Sequence, residues 1–146
     1  MPTRTAQTTW TGGLEDGAGT VELKSSGAGS YEVSFPKRAA DDAGGTTSPE
    51  ELIAAAHSAC YAMQFSALLG AAGGKAPSLQ VHADVTLGPD RAGGLRISGI
   101  RLAVSGSADG VDEQTFTKIA ADAKNGCPVS KALTGTEITL DVTPGG

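Results

Sequence analysis

Cysteine is scarce in this chain: Cys60 and Cys127 are its only two among 146 residues. Two thiols are too few for a disulfide-built scaffold, so each is either an inert core residue or a working group. Aromatics are equally sparse at 4%, which leaves any core to Ala, Val, Leu and Ile. Basic residues are outnumbered, 11 Lys and Arg against 16 Asp and Glu, for a net charge of −5. Binders of nucleic acid or anionic membranes are usually basic, so neither partner is expected. No uninterrupted run approaches the ~18 apolar residues of a membrane span, and residues 1–10 lack the apolar stretch of a signal peptide. A cytoplasmic location is the expectation. There is no repeat, low-complexity tract or linker, so residues 1–146 read as a single domain.

Glycine, by contrast, is plentiful: 21 residues, about twice the ordinary ~7%, and it punctuates short strands. Strands are expected over residues 4–12, 20–24 and 30–35, separated by the Gly12–Gly19 and Gly27–Gly29 clusters. A polar loop over 36–47 follows and carries Lys37, Arg38, Asp41 and Asp42. Ser48-Pro49-Glu50-Glu51 is a capping box with Pro at the first helical position. The helix that it opens runs to about residue 72, where Gly73-Gly74 stops it. Strands over 78–87 and 95–105 flank the Gly88–Gly94 turn. A second helix spans 112–124, a short turn or helix opens at Cys127-Pro128, and a strand covers 137–142. The order predicts an α+β fold.

The central helix is apolar around most of its circumference, through Leu52, Ile53, Met63, Phe65, Leu68, Leu69 and a series of alanines. Such a helix is buried on most sides. So few strands can hardly achieve that alone, which predicts a partner subunit. At 100° per residue, Glu50, His57, Tyr61 and Gln64 form its single polar stripe, and Cys60 falls at the seam between that stripe and an apolar flank. A thiol there could touch both a charge and an organic substrate, although free Cys is often only a small core hydrophobe. Cys127 precedes Pro128 at a helix start, where free N–H groups and the dipole favour a thiolate. It could equally just fill the cap. Arg38 is the best available cation to support a thiolate, and Glu50 could hold it in a bidentate pair; both also fit plain surface roles. A zinc set of His57, Cys60, His82 and Cys127 is an alternative, without any Cys-x-x-Cys knuckle. A Cys60–His57 hydrolase dyad lacks an orienting third residue.

The segments Thr47-Ser48-Pro49-Glu50-Glu51-Leu52-Ile53-Ala54-Ala55-Ala56-His57-Ser58-Ala59-Cys60 and Gly126-Cys127-Pro128-Val129-Ser130-Lys131-Ala132-Leu133 resemble the two signatures of the osmotically inducible protein C (OsmC) and organic hydroperoxide resistance family. Trp10-Thr11-Gly12 and Glu137-Ile138-Thr139-Leu140-Asp141 fit it as well, and the Ala-His-Ser-Ala-Cys wording is similar to the OsmC branch. The resemblance implies an antiparallel sheet wrapped around the central helices of an intertwined homodimer. It also implies a peroxidatic Cys60, a resolving Cys127 and supporting roles for Arg38 and Glu50. Organic hydroperoxides would be the substrate, hydrogen peroxide a weaker one, and a dithiol of lipoyl type the reductant, with no bound cofactor or metal. A peroxide sensor using the same thiols without turnover is the competing function. Glu50 and Cys60 lie ten residues apart, ~15 Å along a straight helix and ~80° around it. If the supporting role holds, either the helix breaks between them or an antiparallel partner chain delivers its Glu50, with Arg38 attached, to Cys60. No Pro or Gly lies between the two to break the helix, so the partner is expected.

Overall fold

The computed structural model describes residues 1–145, which form two compact units, Met1–Leu52 and a second from Ile53 onward.

In the first unit, β1 (Gln7–Thr11), β2 (Ala18–Glu22) and β3 (Ser30–Val33) form an antiparallel sheet in the order β1-β2-β3. Trp10 is paired with Gly19, where a Cβ would come within 2.9 Å of the indole ring. Glycine there gives the ring room to lie against the strand. The sheet has almost no core of its own: Val21 is its one buried apolar side chain, while Trp10 and Leu14 are well exposed.

The expected loop over 36–47 begins instead with a helical turn, α1 (Phe35–Ala39), and the third strand ends earlier than expected, at Val33. Ser34 caps α1 by accepting from the Lys37 N–H at 3.4 Å, and Pro36 fits the first turn. A cap followed directly by Pro is a helix-start signal, but five residues give no periodicity to see. α2 (Pro49–Ala71) matches expectation closely. The Glu51 N–H donates to Ser48 Oγ at 3.1 Å, as a capping box requires. The Glu51 carboxylate is turned to the Thr47 hydroxyl instead of completing the box. At the far end Gly73, at φ +86°, closes the helix in a left-handed turn, and the Gly74 N–H reaches Leu69 O at 2.8 Å.

In the second unit, β4 (Lys75–Pro89) and β5 (Leu95–Asp109) form a long antiparallel hairpin, and β6 (Ile138–Pro144) joins β5. The β5–β6 pairing is parallel, a departure from the expected antiparallel arrangement. A chain that leaves β5, passes through α3 (Glu113–Gly126) and α4 (Pro128–Ala132) and returns has the crossover that a parallel neighbour needs. Asp112 caps α3 through the Thr115 N–H at 2.7 Å. Strict alternation along β5 turns Ile100, Leu102, Val104 and Ala108 inward. There they join Tyr61, Phe65 and Leu69 of α2 and Phe116, Ile119, Ala120 and Ala123 of α3. Phe65 and Phe116 meet edge-to-face at 4.8 Å, a geometry worth ~0.5–1.5 kcal/mol beyond area burial.

The buried side of α2 is not the one that its composition suggests. His57 and Tyr61, from the polar stripe, are fully buried with Phe65 and Leu69, whereas Ala55, Ala56, Ala59, Met63 and Ala67 are exposed, Met63 at 73%. The expectation of burial on nearly every side therefore fails within one chain, because the sheet and α3 can cover only one face. By length and composition α2 would also suffice to cross a membrane. The hydrogen bonds of its buried polar residues tie it instead to α3 and α4: the Tyr61 hydroxyl donates to Ala120 O at 2.8 Å, and His57 meets Ser130.

Candidate active site

The sequence-derived residues assemble into two pairs. Cys60 and Cys127, 67 positions apart, face each other with sulfurs 3.1 Å apart, both as free thiols. Cys127 is fully buried and Cys60 half-buried. Two local features place Cys127. Its N–H continues the α3 ladder to Ala123 O at 2.9 Å, and it is also the N-cap of α4, with Pro128 after it. Cys60 sits one position before the buried Tyr61, at the edge of the packed face of α2.

The two thiols have opposite electrostatics. In the neutral pair Cys127 donates its S–H to Cys60. Burial raises the pKa of each, but at Cys127 it is outweighed by donors: the Ser130 N–H, the Cys60 thiol, the Ser130 hydroxyl and the Val129 N–H. The net shift of Cys127 is downward. None of these closes a cap bond of ordinary geometry, but a diffuse sulfur anion is stabilised by several longer contacts at a helix N-terminus. Cys60 moves upward: burial and the neighbouring Cys127 raise it, and one Val129 N–H opposes them. Once a proton leaves the pair, the charge therefore settles on Cys127.

Arg38 and Glu50 form the second pair. Arg38 Nε lies 3.1 Å from both carboxylate oxygens and Nη2 lies 2.7 Å from Oε1. α1 presents the Arg from its last turn; the first turn of α2 presents Glu50, whose side chain is 9% exposed against 33% for Arg38. Burial pushes the Glu50 pKa up, but the Arg38 bonds more than offset it and the net shift is downward. Bonding to Glu50 likewise raises Arg38, so the guanidinium is a permanent cation. Arg38 also lines a cavity of about 480 Å³ within the first unit, walled by Trp10, Leu14, Val21, Phe35 and Leu52.

A carboxylate with a lowered pKa stabilises the fold above the ordinary carboxylate range, and that contribution is lost as pH falls through the depressed folded value. Replacing Arg38 by Met should cost ~1–2 kcal/mol at neutral pH, between the values for exposed and buried pairs. The gap should narrow as pH falls from neutral through the depressed folded value of Glu50 and close in acid below it, where Glu50 is protonated in both proteins. Urea unfolding at the two pH values reads this directly, and a gap independent of pH would show that the pair contributes nothing.

The zinc set is not assembled. Among the described residues no three His, Cys, Asp or Glu side chains converge, and His82 lies exposed on β4. One polar residue beside the thiols escaped sequence reasoning: Ser130, whose Oγ is 2.7 Å from His57 Nε2. The signal was present, since Ser130 stands three residues after Cys127 and His57 three before Cys60, each one helical turn away.

Comparison with known proteins places the chain in a family. The family described as OsmC-like protein matches residues 41–143. The chain belongs to that family. This OsmC-like chain is 42% identical over 135 residues to the peroxiredoxin OsmC of Escherichia coli K12, covering 92% of each. Among solved structures it resembles the organic hydroperoxide resistance protein OhrB of Bacillus subtilis, at 26% identity and TM-score 0.74, covering 95% of this chain and 98% of that one. An organic hydroperoxide resistance protein from Elizabethkingia anophelis is 29% identical with TM-score 0.72, covering 97% and 96%.

Proposed function

We propose that the chain reduces organic hydroperoxides, and hydrogen peroxide more weakly, by a two-thiol cycle at Cys60 and Cys127 in a homodimer. The coarser statement, that it is a peroxidase and hence an oxidoreductase, rests on its 42% identity to a peroxiredoxin over most of both chains. The observation that carries the two-thiol cycle is the 3.1 Å approach of the chain's two thiols across 67 residues of sequence. In the cycle, the Cys60 thiolate attacks the distal oxygen of ROOH, the O–O bond breaks, and the alkoxide leaves with a proton as ROH. The resulting Cys60 sulfenic acid loses water on condensation with the Cys127 thiol, forming the disulfide. An external dithiol of lipoyl type reduces the disulfide by exchange, returning both thiols and leaving as its own disulfide. None of these steps calls for a resident metal or cofactor.

Cys60 must be the anion for the first step, yet in the single chain the charge prefers Cys127. A cation is needed beside Cys60. α2 runs unbroken from Pro49 to Ala71, so Glu50 of the same chain lies ~15 Å along the axis from Cys60. A second copy supplying its Arg38–Glu50 pair meets the need. The same second copy would cover the apolar stripe of Ala56, Ala59, Met63 and Ala67, which no element of this chain covers.

Steady-state turnover with excess dithiol, comparing an alkyl hydroperoxide with hydrogen peroxide, is the test. Many turnovers with the alkyl substrate preferred support the reading. A single equivalent consumed, with no turnover in any dithiol, would make the protein a sensor instead.

A further inference from the structure

His57 and Ser130 play no part in the cycle above, yet both are buried beside it. They lie 73 positions apart, with His57 Nε2 2.7 Å from Ser130 Oγ, while His57 Nδ1 is buried with no partner among the described residues. Burial lowers the His57 pKa, so the ring is neutral around pH 7, with one N–H and one lone pair. A proton on Nδ1 would orphan a buried donor, which folded proteins tolerate least, and would make Nε2 capture the Ser130 hydrogen. A proton on Nε2 donates to Ser130 Oγ and leaves the Ser130 hydrogen free to point elsewhere. Cys127 is the N-cap of α4 and Ser130 its third residue, which puts the Ser130 hydroxyl one helical turn from the Cys127 side chain; that hydroxyl is among the groups that favour the Cys127 anion.

We propose that His57 and Ser130 form a positioning relay for the resolving thiol, His57 Nε2–H holding the Ser130 hydroxyl and that hydroxyl donating to the Cys127 sulfur. The inference rests on the two-thiol reading for its role in catalysis. In the resolving step the Cys127 thiolate attacks the sulfur of the Cys60 sulfenic acid; the S–O bond breaks, and hydroxide leaves and is protonated to water. In the regenerating step the reductant's thiolate attacks Cys60, and Cys127 departs as the thiolate. A donor on Cys127 assists both, since a stabilised thiolate is more abundant as nucleophile and a better leaving group.

The groups that face Cys127 are few. α2 contributes Cys60 and Tyr61, whose phenol burial holds well above its ordinary pKa and therefore neutral. α4 contributes the Val129 and Ser130 donors, and α3 contributes the Ala123 carbonyl, which takes the Cys127 N–H. None of the groups that shift Cys127 is a charged residue, so the loss of one hydroxyl should be visible.

The experiment titrates Cys127 alone, by thiolate ultraviolet absorbance in a Cys60→Ser background. Ser130→Ala should lower its thiolate fraction at neutral pH about tenfold, as expected for a hydrogen bond to a charged group. In the two-cysteine chain the same substitution should slow disulfide closure to a similar extent. Ser130→Thr, which keeps the hydroxyl, and His57→Gln, whose amide N–H stands near the position of Nε2, should retain the thiolate; His57→Leu should lose it. A merely structural pair would change the melting temperature but leave the titration alone. An unmoved titration in folded Ser130→Ala overturns the relay, and so does one equally unmoved in His57→Leu should Ser130→Ala not fold. The titration reads the relay whether or not a disulfide forms. Failure of the native chain to form the Cys60–Cys127 disulfide would count against the two-thiol cycle and leave the relay to stand or fall on its own readout.

Discussion

Replacing Cys60 by Ser is expected to end peroxide consumption, by roughly 10³–10⁶-fold, the scale on which removal of a catalytic nucleophile acts. A serine hydroxyl is not ionised near neutrality, and its oxygen is a poor nucleophile toward peroxide oxygen; no other group in the sulfur pair can substitute, because Cys127 is fully buried behind Cys60. Cys127→Ser should behave differently. It should reduce one equivalent and then stall, with Cys60 held as sulfenic acid and open to further oxidation to the sulfinic acid. Intact mass after one equivalent of peroxide distinguishes the steps: loss of two hydrogens in the native chain, gain of one oxygen in Cys127→Ser, no change in Cys60→Ser. A loss of two hydrogens that persists without Cys60 would remove it from the role proposed for it.

The second large effect tests which chain completes the site. Arg38→Ala should lower activity by ~10²-fold, the usual cost of losing one fixed electrostatic partner. Co-refolding that inactive chain with the inactive Cys60→Ser chain should restore activity. Each mixed dimer then holds one site with both an intact Cys60 and an intact Arg38, and a second site lacking both. Random pairing makes half of the dimers mixed, so about a quarter of native activity is the expected recovery. The continuous α2 helix makes this the informative experiment, because ten residues of helix hold Glu50 ~15 Å along the axis from the Cys60 of the same chain. A mixture as inactive as its parents, with subunit exchange verified, would mean that each chain supports its own thiol or that the arginine is not the support.

Local chemistry made much of this protein legible from its sequence. Ser48-Pro49 and Gly73 mark the ends of α2, Asp112 the start of α3 and Pro128 the start of α4, because caps, prolines and left-handed turns act within a few residues. The strands expected on either side of the Gly88–Gly94 turn are there as β4 and β5, each longer than expected. The two isolated cysteines stood out on their own, whereas Arg38 and Glu50 fitted plain surface roles as well and drew their supporting roles from the family resemblance; the structure brings the four together as two pairs. The family resemblance in two short segments fixed the chemistry to expect of them.

What the sequence could not settle depended on neighbours distant along the chain. A helical wheel shows that α2 has a polar stripe but not that His57 and Tyr61 lie inward, because Ser130 and the Ala120 carbonyl, 73 and 59 positions away, are what satisfy them. Without those partners, burying an imidazole and a phenol would be unfavourable, and the apolar flank would be the natural inner face. The parallel β5–β6 pairing and the sulfur–sulfur approach have the same origin. So does the direction of the thiol asymmetry, since Cys60 is raised and Cys127 lowered by groups on other elements. Sequence alone determined the ends of the capped helices and which side chains could react; only tertiary packing decided which faces turn inward and which sulfur holds the charge, because burial and hydrogen-bond satisfaction are set by what arrives from the rest of the chain.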